Sequence, residues 1–442
     1  MSQPVDRRTF VKTAAAAGLG LGLTGPLQGL RRPASPNAKL VVAVMGVNGR
    51  GGALANSFAL TPGAEVGFIC DVDERAIAKA VKDVRERQDR EPKGVKDFRT
   101  LLDGNDIDAL VIAAPDHWHT PAALMALQAG KNVYVEKPCG QNPREGELLI
   151  AAQKKYGKVV QMGTQQRSAP ESIEVIQAIR EGLIGEARYA KCWYANTRGS
   201  IGKGKIAEVP SWLDYELWQG PAPRRPYQDN LIHYNWHWFW HWGTGEALNN
   251  GTHEVDVCRW ALGVDYPTRV TSSGGRYHFN DDWEFYDTQV MSFDFAGGKS
   301  ITWEGRSCNG MPFYDRGRGS TIHGTEGTVL LDREGYIVYD LAGKEIKRRM
   351  RKETTNALNT VGADGLTDIH IRNFVDGVTD GKMLNTPIET GHKSVLLCHL
   401  GNVAQYTGMT LECDPTNGHV KNDTIMKQMW GREYEPGWEP TV

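Results

Sequence analysis

The feature that most constrains this chain is a short apolar run that leads directly into a glycine-rich loop. Leu40 to Met45 is typical of a buried parallel strand. The next residues are Gly46-Val47-Asn48-Gly49-Arg50-Gly51-Gly52, and a helix-like segment follows them. A glycine motif alone is weak evidence, but a strand before it and a helix after it favour a phosphate-binding turn at a helix N-terminus.

The glycine loop is irregular, because Asn48 stands where the second glycine of the G-x-G-x-x-G pattern would be. Asparagine tolerates positive φ better than most residues, so the turn can still form. Gly49 and Gly51 let the backbone approach a pyrophosphate. The loop residues predicted to contact a dinucleotide are Gly46, Asn48, Gly49, Arg50 and Gly51.

A carboxylate follows the second predicted strand, residues 65–70, at Asp71. From this position it can accept both ribose hydroxyls of adenosine and repel a 2′-phosphate, which favours NAD over NADP. The alternative interpretation is an aspartate that caps a turn. Arg50 and Arg75 could accommodate a phosphate, so NADP stays open as the less favoured cofactor.

Strands and helices alternate strictly up to Met162, which predicts an N-terminal Rossmann domain with a doubly wound parallel sheet. The later strands are predicted at 109–113, 132–135 and 159–162, and the helices at 74–90, 121–129 and 143–156. Beyond Gly163, strands at 188–194, 288–295, 299–304 and 327–331, with helices at 367–379 and 392–407, predict an α+β domain of mostly antiparallel strands. The two domains are therefore predicted at residues 39–162 and 163–442.

The composition is that of an ordinary globular protein, and 442 residues suit two domains better than one core. Hydrophobic residues at 40% and charged residues at 24% exclude a disordered chain and a polytopic membrane protein. Lys+Arg 51 against Asp+Glu 53 gives no global positive field, so no nucleic-acid partner is predicted. Seven widely spread cysteines without metal-ligand spacing argue against a disulfide scaffold.

The N-terminus has the pattern of an export signal. Paired arginines in Asp6-Arg7-Arg8-Thr9-Phe10-Val11-Lys12 precede an uncharged Ala/Gly/Leu stretch, residues 13–30. This pattern indicates twin-arginine export, with the export machinery as a partner and a periplasmic or otherwise exported location. The alternative is a single membrane anchor, but the stretch contains Pro26 and barely reaches spanning length. Residues 1–38 are predicted to be signal and linker, and their cleavage point stays open.

Chemically useful side chains stand at the carboxyl ends of two later strands, where ligands lie in this architecture. We predict Asp116, Trp118, His119, Glu136 and Lys137 as cofactor contacts. A lysine ammonium beside a nicotinamide can stabilise negative charge on a reacting sugar oxygen, so Lys137 is also predicted to be catalytic. The alternative is a surface lysine in a turn before Pro138.

Several motifs together resemble a known family. They are the loop 46–52, Asp71, Glu136-Lys137-Pro138, Gly163-Thr164-Gln165-Gln166-Arg167 and Asn249-Asn250-Gly251-Thr252-His253-Glu254-Val255-Asp256. The sequence is similar, over nearly all of its length after the signal, to the glucose-fructose oxidoreductase / inositol dehydrogenase / rhizopine-catabolism (Gfo/Idh/MocA) family of NAD(P)-dependent oxidoreductases. The resemblance implies a large open sheet in the C-terminal domain, assembly into a homodimer or homotetramer, Gln165 as a cofactor contact and Arg167 as a substrate contact.

The same resemblance gives His253 the role of acid/base on the substrate hydroxyl. Imidazole titrates near neutral pH, which suits this role, although a histidine beside two carboxylates is more often structural. Many dehydrogenases of the family have aspartate four residues earlier, where this chain has Asn249. An amide can bind a sugar hydroxyl but cannot raise the basicity of His253, so Asp256 is considered as the group that orients the ring, and both are predicted substrate-site residues.

Seven of the 13 tryptophans lie between Trp193 and Trp242, most of them in the run His233-Tyr234-Asn235-Trp236-His237-Trp238-Phe239-Trp240-His241-Trp242. Indole faces stack on pyranose rings and imidazoles bond hydroxyls, which predicts a carbohydrate subsite. The predicted contacts are Trp236, His237, Trp240 and His241. The alternative is an aromatic packing cluster or a subunit interface. A metal at the three histidines is not predicted, because alternating tryptophans argue against a regular helix and no carboxylate completes the set.

Export would constrain the reaction, because no pool of free NAD regenerates the cofactor outside the cytoplasm. We therefore predict an oxidoreductase that acts on a sugar or glycoside hydroxyl with tightly bound NAD, restored within each cycle. One alternative is a redox-neutral NAD-dependent glycoside hydrolase that forms a transient keto-sugar and eliminates the aglycone, although that branch typically lacks the Glu-Lys-Pro signature. A second alternative is a non-catalytic sugar sensor, against which Lys137 and His253 argue.

Overall fold

Six strands form the first sheet of this computed structural model, which describes residues 39–351, 362 and 364–442. The strands are β1 Leu40–Met45, β2 Ala64–Cys70, β3 Lys93–Val95, β4 Ala109–Ile112, β5 Asn132–Val135 and β6 Val160–Met162. They are all parallel, in the order β3-β2-β1-β4-β5-β6. The order reverses between β1 and β4, so their carboxyl ends open a crevice at that point. The predicted export signal lies outside the described residues.

Helices that follow the strands in sequence cover this sheet: α1 Arg50–Leu60, α2 Glu74–Arg85, α3 Asp116–Gln128 and α4 Pro143–Tyr156. The strands are apolar on both faces because helices pack on both sides, which is why short uninterrupted apolar runs located them in the sequence. The predicted parallel Rossmann sheet is confirmed. The edge strand β3 was not predicted, since its three residues are largely exposed and carry no apolar run.

Helix α3 begins at Asp116, five residues before the predicted start at Pro121. A proline inside a helix cannot donate to the carbonyl four residues earlier, here that of His117. Arg432, near the C-terminus, donates to that carbonyl from Nη2 at 2.7 Å. A distant guanidinium therefore replaces the missing hydrogen bond, and Asp116 and Trp118 lie on the first helical turn rather than in a loop.

Among the described residues, nine strands form the second sheet. They are β7 Ala187–Ala195, β8 Arg269–Gly275, β9 Thr288–Phe295, β10 Lys299–Arg306, β11 Arg318–Gly324, β12 Gly327–Leu331, β13 Gly335–Asp340, β14 Glu345–Met350 and β15 Leu411–Glu412. Their order is β14-β13-β12-β11-β7-β10-β9-β8-β15. Strands β7 and β10 pair in parallel, and the other neighbouring pairs of this sheet are antiparallel. The predicted mostly antiparallel C-terminal sheet is confirmed.

The helices of the second half are α5 Pro170–Arg180, α6 Tyr215–Gln219, α7 Gly245–Asn249, α8 Gly251–Leu262, α9 Gly365–Thr379, α10 Ile388–Thr407 and α11 Asp423–Met429. Short 3₁₀ turns occur at Phe98–Leu101, Gln165–Ser168 and Asn235–Trp238. Helix α8 is buried along almost its whole length between the second sheet and α10. Across the ranges that the structure describes, no helix combines the length and apolar character needed to cross a membrane.

Helix α9 belongs to the second half of the sequence but packs on the first sheet. Its side chains Ile371, Phe374 and Val375 are buried in the core that covers β1 and β2. The Phe374 ring meets the rings of Phe58 and Tyr134 edge-on, at 6.2 and 5.7 Å between centroids. The two sheets therefore lie on either side of the predicted boundary at Met162, but the core of the first sheet includes residues from beyond it. Residues 39–442 form one compact unit.

Buried histidines should make this fold sensitive to acid, and His370 is a measurable case. Burial lowers the pKa of His370 from 6.5 to about 4, although its hydrogen bond to the Met162 carbonyl opposes the shift. Between these two pH values the unfolded chain binds a proton at His370 and the folded protein does not. The contribution of neutral His370 to the free energy of unfolding is therefore fully present above pH 6.5. It is lost towards pH 4, by about 1.4 kcal/mol per pH unit for one group.

Urea unfolding across this pH range checks the prediction. We expect the free energy of unfolding of the wild-type protein to fall more steeply with acid than that of His370→Asn, which has one titrating group fewer. Equal slopes for the two proteins would show that His370 does not couple folding to protons.

Candidate active site

A cavity of about 560 Å³ lies at the reversal of strand order in the first sheet, and the second half of the chain covers it. Most of the predicted cofactor residues line it together with several predicted substrate residues. The predicted residues that line the cavity are Gly46, Asn48, Gly49, Arg50, Asp71, Asp116, Trp118, His119, Glu136, Lys137, Gln165, Trp236, His237, Asn249 and His253. A volume of this size is that of a ligand site rather than a packing defect.

The glycine loop forms a cradle that side chains would fill. Gly46 has φ +82°, and a Cβ there would approach the Ala114 backbone nitrogen to 2.5 Å. A Cβ on Gly51 would lie 2.0 Å from the Gly46 carbonyl oxygen, so this glycine lets α1 pack on the loop and does not itself line the cavity. Helix α1 begins after Gly49 without a side-chain cap or an acidic residue in its first turn. Such a helix N-terminus fits the pyrophosphate of a dinucleotide.

Asp71 lies at the carboxyl end of β2, beside the loop. Its Oδ2 accepts the Val47 backbone N–H at 2.6 Å, and its Oδ1 accepts that of Asp73 at 3.0 Å. Burial raises the pKa of Asp71, and these two hydrogen bonds oppose the rise. The carboxylate is therefore held in a fixed direction on the cavity wall, as ribose binding requires.

The two arginines that could have accepted a 2′-phosphate are both engaged. Arg50 donates to Glu136 at 2.9 Å and to the Thr367 hydroxyl at 3.2 Å. Arg75 donates to both oxygens of Asp73 and lies 3.5 Å from the ring centre of Trp212. Neither guanidinium points freely at the ribose, which supports NAD as the cofactor.

Glu136 and Lys137 connect the cofactor loop with the far wall. Burial would raise the pKa of Glu136, but Arg50 and Lys137 outweigh it and lower the value. Gln165 also donates to Glu136, at 3.0 Å. The Lys137 ammonium donates to Asn249 Oδ1 at 3.2 Å, and burial lowers the pKa of Lys137 against the opposing effect of Glu136. The predicted lysine is thus inside the cavity and not in a surface turn.

His119 lines the cavity, and its ring nitrogens face backbone carbonyls. Its ring nitrogens lie 2.5 Å from the Pro138 carbonyl and 2.7 Å from the Ala114 carbonyl. The ring touches the cavity, but both nitrogens are occupied by backbone that follows β4 and β5. His119 therefore lies between the two strand ends, including the loop of Lys137, and its contact with the cofactor stays a prediction.

His253 lies in the first turn of α8 and is 3% exposed. Neither ring nitrogen has a hydrogen-bond partner among the described residues. Burial holds the pKa of His253 well below its ordinary range, and the cations Arg318 and Lys137 lower it further. A buried, neutral imidazole without a partner on the wall of a ligand cavity can accept a hydrogen bond or a proton from a bound ligand.

The prediction that Asp256 orients His253 is wrong. Its carboxylate accepts a bidentate pair of hydrogen bonds from Arg167, at 2.8 and 2.9 Å, and a further one from the Ser394 hydroxyl at 2.6 Å. Both Arg167 and Asp256 are buried away from the cavity, so neither contacts a substrate there. The pair ties the turn after β6 to α8 and so holds His253 in place.

Loss of this ion pair should destabilise the protein strongly. Arg167→Met would leave the Asp256 carboxylate buried without a counter-charge, and we expect the free energy of unfolding to fall by about 3–5 kcal/mol. Urea unfolding measures the loss. The double variant with Asp256→Asn should regain part of the stability, because it removes the uncompensated charge. A fully stable Arg167→Met protein with reduced substrate affinity would instead favour the original substrate-contact prediction.

The tryptophan segment is divided between cavity and core. Trp236 and His237 line the cavity, with their rings stacked at 3.6 Å, and His237 Nδ1 lies 2.6 Å from the Tyr234 carbonyl. Because a carbonyl only accepts, Nδ1 carries the proton and Nε2 keeps a lone pair. Burial holds the pKa of His237 well below its ordinary range, so the ring is neutral. This part of the segment offers a flat aromatic surface and a hydrogen-bond acceptor.

Two other predicted contacts of the segment lie elsewhere. Trp240 packs on the Phe285 ring at 3.8 Å, and His241 Nε2 lies 2.7 Å from the Pro223 carbonyl. Neither lines the cavity. The packing alternative therefore holds for these two residues. Across the described ranges no group of three His, Cys, Asp or Glu side chains is placed to hold a metal ion.

Sequence reasoning missed several residues of the far wall, which are Tyr194, Arg198, Trp218, His233 and Tyr234. Arg198 forms an ion pair with buried Glu246 at 2.7 Å and lies 3.3 Å from the Tyr194 hydroxyl. Burial raises the pKa of Tyr194 to about 12, so its hydroxyl stays protonated. The position of Tyr194 near the carboxyl end of a predicted strand was the one signal that could have identified it.

The fold and the site define a class: a dinucleotide-dependent oxidoreductase whose Rossmann half holds the cofactor and whose antiparallel half covers it. The family described as an oxidoreductase family with an NAD-binding Rossmann fold matches residues 40–164. Its C-terminal alpha/beta domain matches residues 193–332. These regions together exceed half of the chain, which therefore belongs to the Gfo/Idh/MocA oxidoreductase family and binds NAD through its first half.

Curated relatives and solved structures extend the comparison. A glycosyl hydrolase family 109 protein of Saccharopolyspora erythraea is 33% identical over 231 residues, 48% of this chain and 50% of that protein. An α-N-acetylgalactosaminidase of Shewanella oneidensis is 27% identical over 231 residues, again 48% and 50%. The chain thus matches about half the length of these relatives. Levoglucosan dehydrogenase in complex with NADH and levoglucosan shares the fold, with TM-score 0.65, 19% identity, and 85% of this chain and 99% of that chain covered.

Proposed function

We propose that this protein is an exported NAD-dependent oxidoreductase that acts on a hydroxyl group of a sugar or glycoside. One observation supports this most directly: the ammonium of Lys137 and the unpartnered ring of His253 line the same cavity as the glycine loop. These are the two groups that the oxidation of a hydroxyl requires, one to stabilise the oxygen and one to take its proton.

Bound NAD supplies a hydride acceptor at this site. Lys137 donates a hydrogen bond to the substrate oxygen and stabilises the negative charge that develops on it as the O–H bond breaks. His253 accepts the proton of that hydroxyl at a ring nitrogen, which its neutral state leaves available. Asn249 holds the Lys137 ammonium through Oδ1, and its own amide nitrogen donates to the Tyr234 hydroxyl and to Glu246 Oε1, each at 3.3 Å.

The far wall supports a carbohydrate as the substrate. The stacked rings of Trp236 and His237 present an apolar face to the cavity beside a hydrogen-bond acceptor. Pyranose rings have C–H faces that lie on such surfaces and hydroxyl rims that donate to such acceptors. The structurally similar levoglucosan dehydrogenase, bound to NADH and levoglucosan, agrees with this substrate class.

Export and cofactor retention form the second part of the proposal. Arg7 and Arg8 direct the chain to the twin-arginine machinery, which carries the protein out with NAD already bound. The cofactor stays tightly bound and is restored within each cycle, for instance by the reduction of a second sugar. Replacing both arginines by lysine should leave the protein in the cytoplasmic fraction.

Assembly is tested separately. Light scattering of the purified protein should give the mass of a dimer or tetramer.

A redox-neutral glycoside hydrolase is the second candidate, favoured by the glycosyl hydrolase family 109 relatives. Transient oxidation of a ring hydroxyl would acidify the neighbouring C–H, so that the aglycone leaves by elimination. Water would then add, and the NADH formed in the first step would supply the hydride that reduces the keto group again. His237 is a second basic group on the cavity wall, separate from Lys137 and His253, and suits this extra proton transfer. A non-catalytic sugar sensor is the third candidate, but it does not explain why the His253 ring lies in the cavity without a partner.

The purified holoprotein distinguishes these candidates. Denaturation should release a nucleotide with the mass of NAD, and its absorbance gives the redox state. Incubation with single sugars or aryl glycosides, without a reducible second sugar, should yield a keto-sugar or lactone together with NADH, up to one equivalent of the bound NAD, if the oxidoreductase proposal holds. Free phenol without net NADH would select the hydrolase. No product and no NADH with any substrate of the panel would leave the sensor and contradict both enzymes.

A further inference from the structure

The loop that follows Asp71 is paired with a segment from the second half of the chain. Asp73 and Leu213 form an antiparallel bridge. Glu74 donates its backbone N–H to the Trp212 carbonyl at 3.2 Å, and Asp214 donates its own to the Val72 carbonyl at 3.0 Å. Three consecutive residues of each segment are thus joined directly beside the predicted ribose-binding carboxylate.

Side chains strengthen the same junction. The Trp212 ring contacts two partners, the Arg75 guanidinium at 3.5 Å and the nearly parallel His233 ring at 5.7 Å. His233 Nε2 lies 2.9 Å from Asp73 Oδ2, and that carboxylate is almost fully buried. Arg75 and Asp73 come from the Rossmann half, whereas Trp212 and His233 come from the second half. The stack therefore crosses from one half of the chain to the other.

This junction borders the adenosine end of the cofactor cavity. Asp71, Val72 and His233 all line the cavity, and so do Leu217 and Trp218 from the same segment. The segment is anchored behind this wall by a core of its own, which contains Leu213, Tyr215, Trp218, Tyr227 and Trp236. The wall over the adenosine end is therefore supplied by the second half and held to the first by the contacts of residues 72–74.

We propose that Trp212 and His233 form a latch over the adenosine end of the NAD site, and that NAD leaves only when this latch opens. His233 is then a further cofactor-contacting residue, next to Asp71, and Trp212 positions it. The inference rests on the NAD site and on the retention that the proposed function requires, but not on the identity of the sugar. It gives that retention a physical cause, because release must break the contacts that join residues 73 and 75 to Trp212 and His233.

NAD release from the holoprotein tests the latch without any sugar substrate. The protein loaded with NAD is mixed with an excess of a fluorescent etheno-NAD, and the exchange rate is followed. We expect Trp212→Ala and His233→Ala to release NAD at least about tenfold faster than the wild type, since each removes one layer of the stack. His233→Gln, which retains a polar contact to Asp73, should fall between them and the wild type.

Trp240→Ala is the matched control, because Trp240 is a tryptophan of the same half that packs outside the cavity. Its exchange rate should equal that of the wild type, and the melting temperatures of the nucleotide-free proteins separate a latch effect from general loosening. Equal exchange rates in wild type, Trp212→Ala and His233→Ala would overturn the latch. Normal retention without turnover would contradict the proposed function alone, whereas a wild-type protein that binds no NAD would overturn the cofactor site and the latch with it.

Discussion

Replacing Lys137 by alanine is expected to lower turnover by about 10²- to 10³-fold while the protein keeps its NAD. The ammonium is buried in the cavity, where charge stabilisation is worth far more than in water, and it donates to Asn249 at 3.2 Å. Removal takes away the group that stabilises the substrate oxygen as its proton leaves. Single-turnover formation of NADH with a substrate identified from the panel measures this step.

Lys137→Arg is the control for charge alone. A guanidinium keeps the positive charge but is planar and longer, so it cannot place a single donor at the same point. We expect it to recover only a small part of the lost rate. Full turnover by Lys137→Ala, with wild-type NAD content, would show that the ammonium has no part in the chemistry.

His253→Asn should lower turnover by about 10²- to 10⁴-fold, which is the usual range for loss of a general base. The pH dependence gives the sharper readout. Because burial and neighbouring cations hold the pKa of His253 well below its ordinary range, its ring is neutral at pH 7. The rate kcat/KM of the wild type should therefore stay level on the alkaline side of pH 6.5 and fall only in more acidic solution, as the ring takes up a proton.

The residue four positions before His253 provides a matched control. Asn249→Asp is nearly isosteric but adds a negative charge next to Lys137, on the wall of the cavity that His253 also lines. The added charge favours the protonated imidazole, so the acidic limb of kcat/KM should move to higher pH. The limb should disappear in His253→Asn. An unchanged acidic limb in that variant would assign it to another group and contradict the role of His253.

The cofactor half was predictable because short stretches of sequence are enough to locate its strands and its glycine loop. A buried parallel strand reads as an apolar run, and the glycines of the loop follow that run in sequence, so β1, Asp71 and Lys137 could be placed without any long-range contact. Helix α3 is the exception. Its start at Asp116 depends on Arg432, which is more than three hundred residues away and caps the carbonyl that Pro121 leaves free.

The far wall was less predictable, because tertiary contacts decide which face of each segment meets the cavity. Asp256 was assigned to His253 from their spacing on a helix, but three residues place a side chain about a sixth of a turn away. There it meets Arg167, whose bidentate bond outcompetes the histidine. Likewise, Trp236 and Trp240 belong to the same aromatic run, yet the chain bends so that only the first of the two lines the cavity.

The position of helix α9 determines when the first half of the chain can finish folding during synthesis. The side chains Ile371, Phe374 and Val375 complete the apolar core around β1 and β2, although they are synthesised some three hundred residues later. Domains generally fold as they leave the ribosome, but this nucleotide-binding half cannot finish its core until α9 has emerged. During translation part of one apolar side of the first sheet stays uncovered until α9 is made, and a chain cut before Gly365 would leave that part exposed in the finished product.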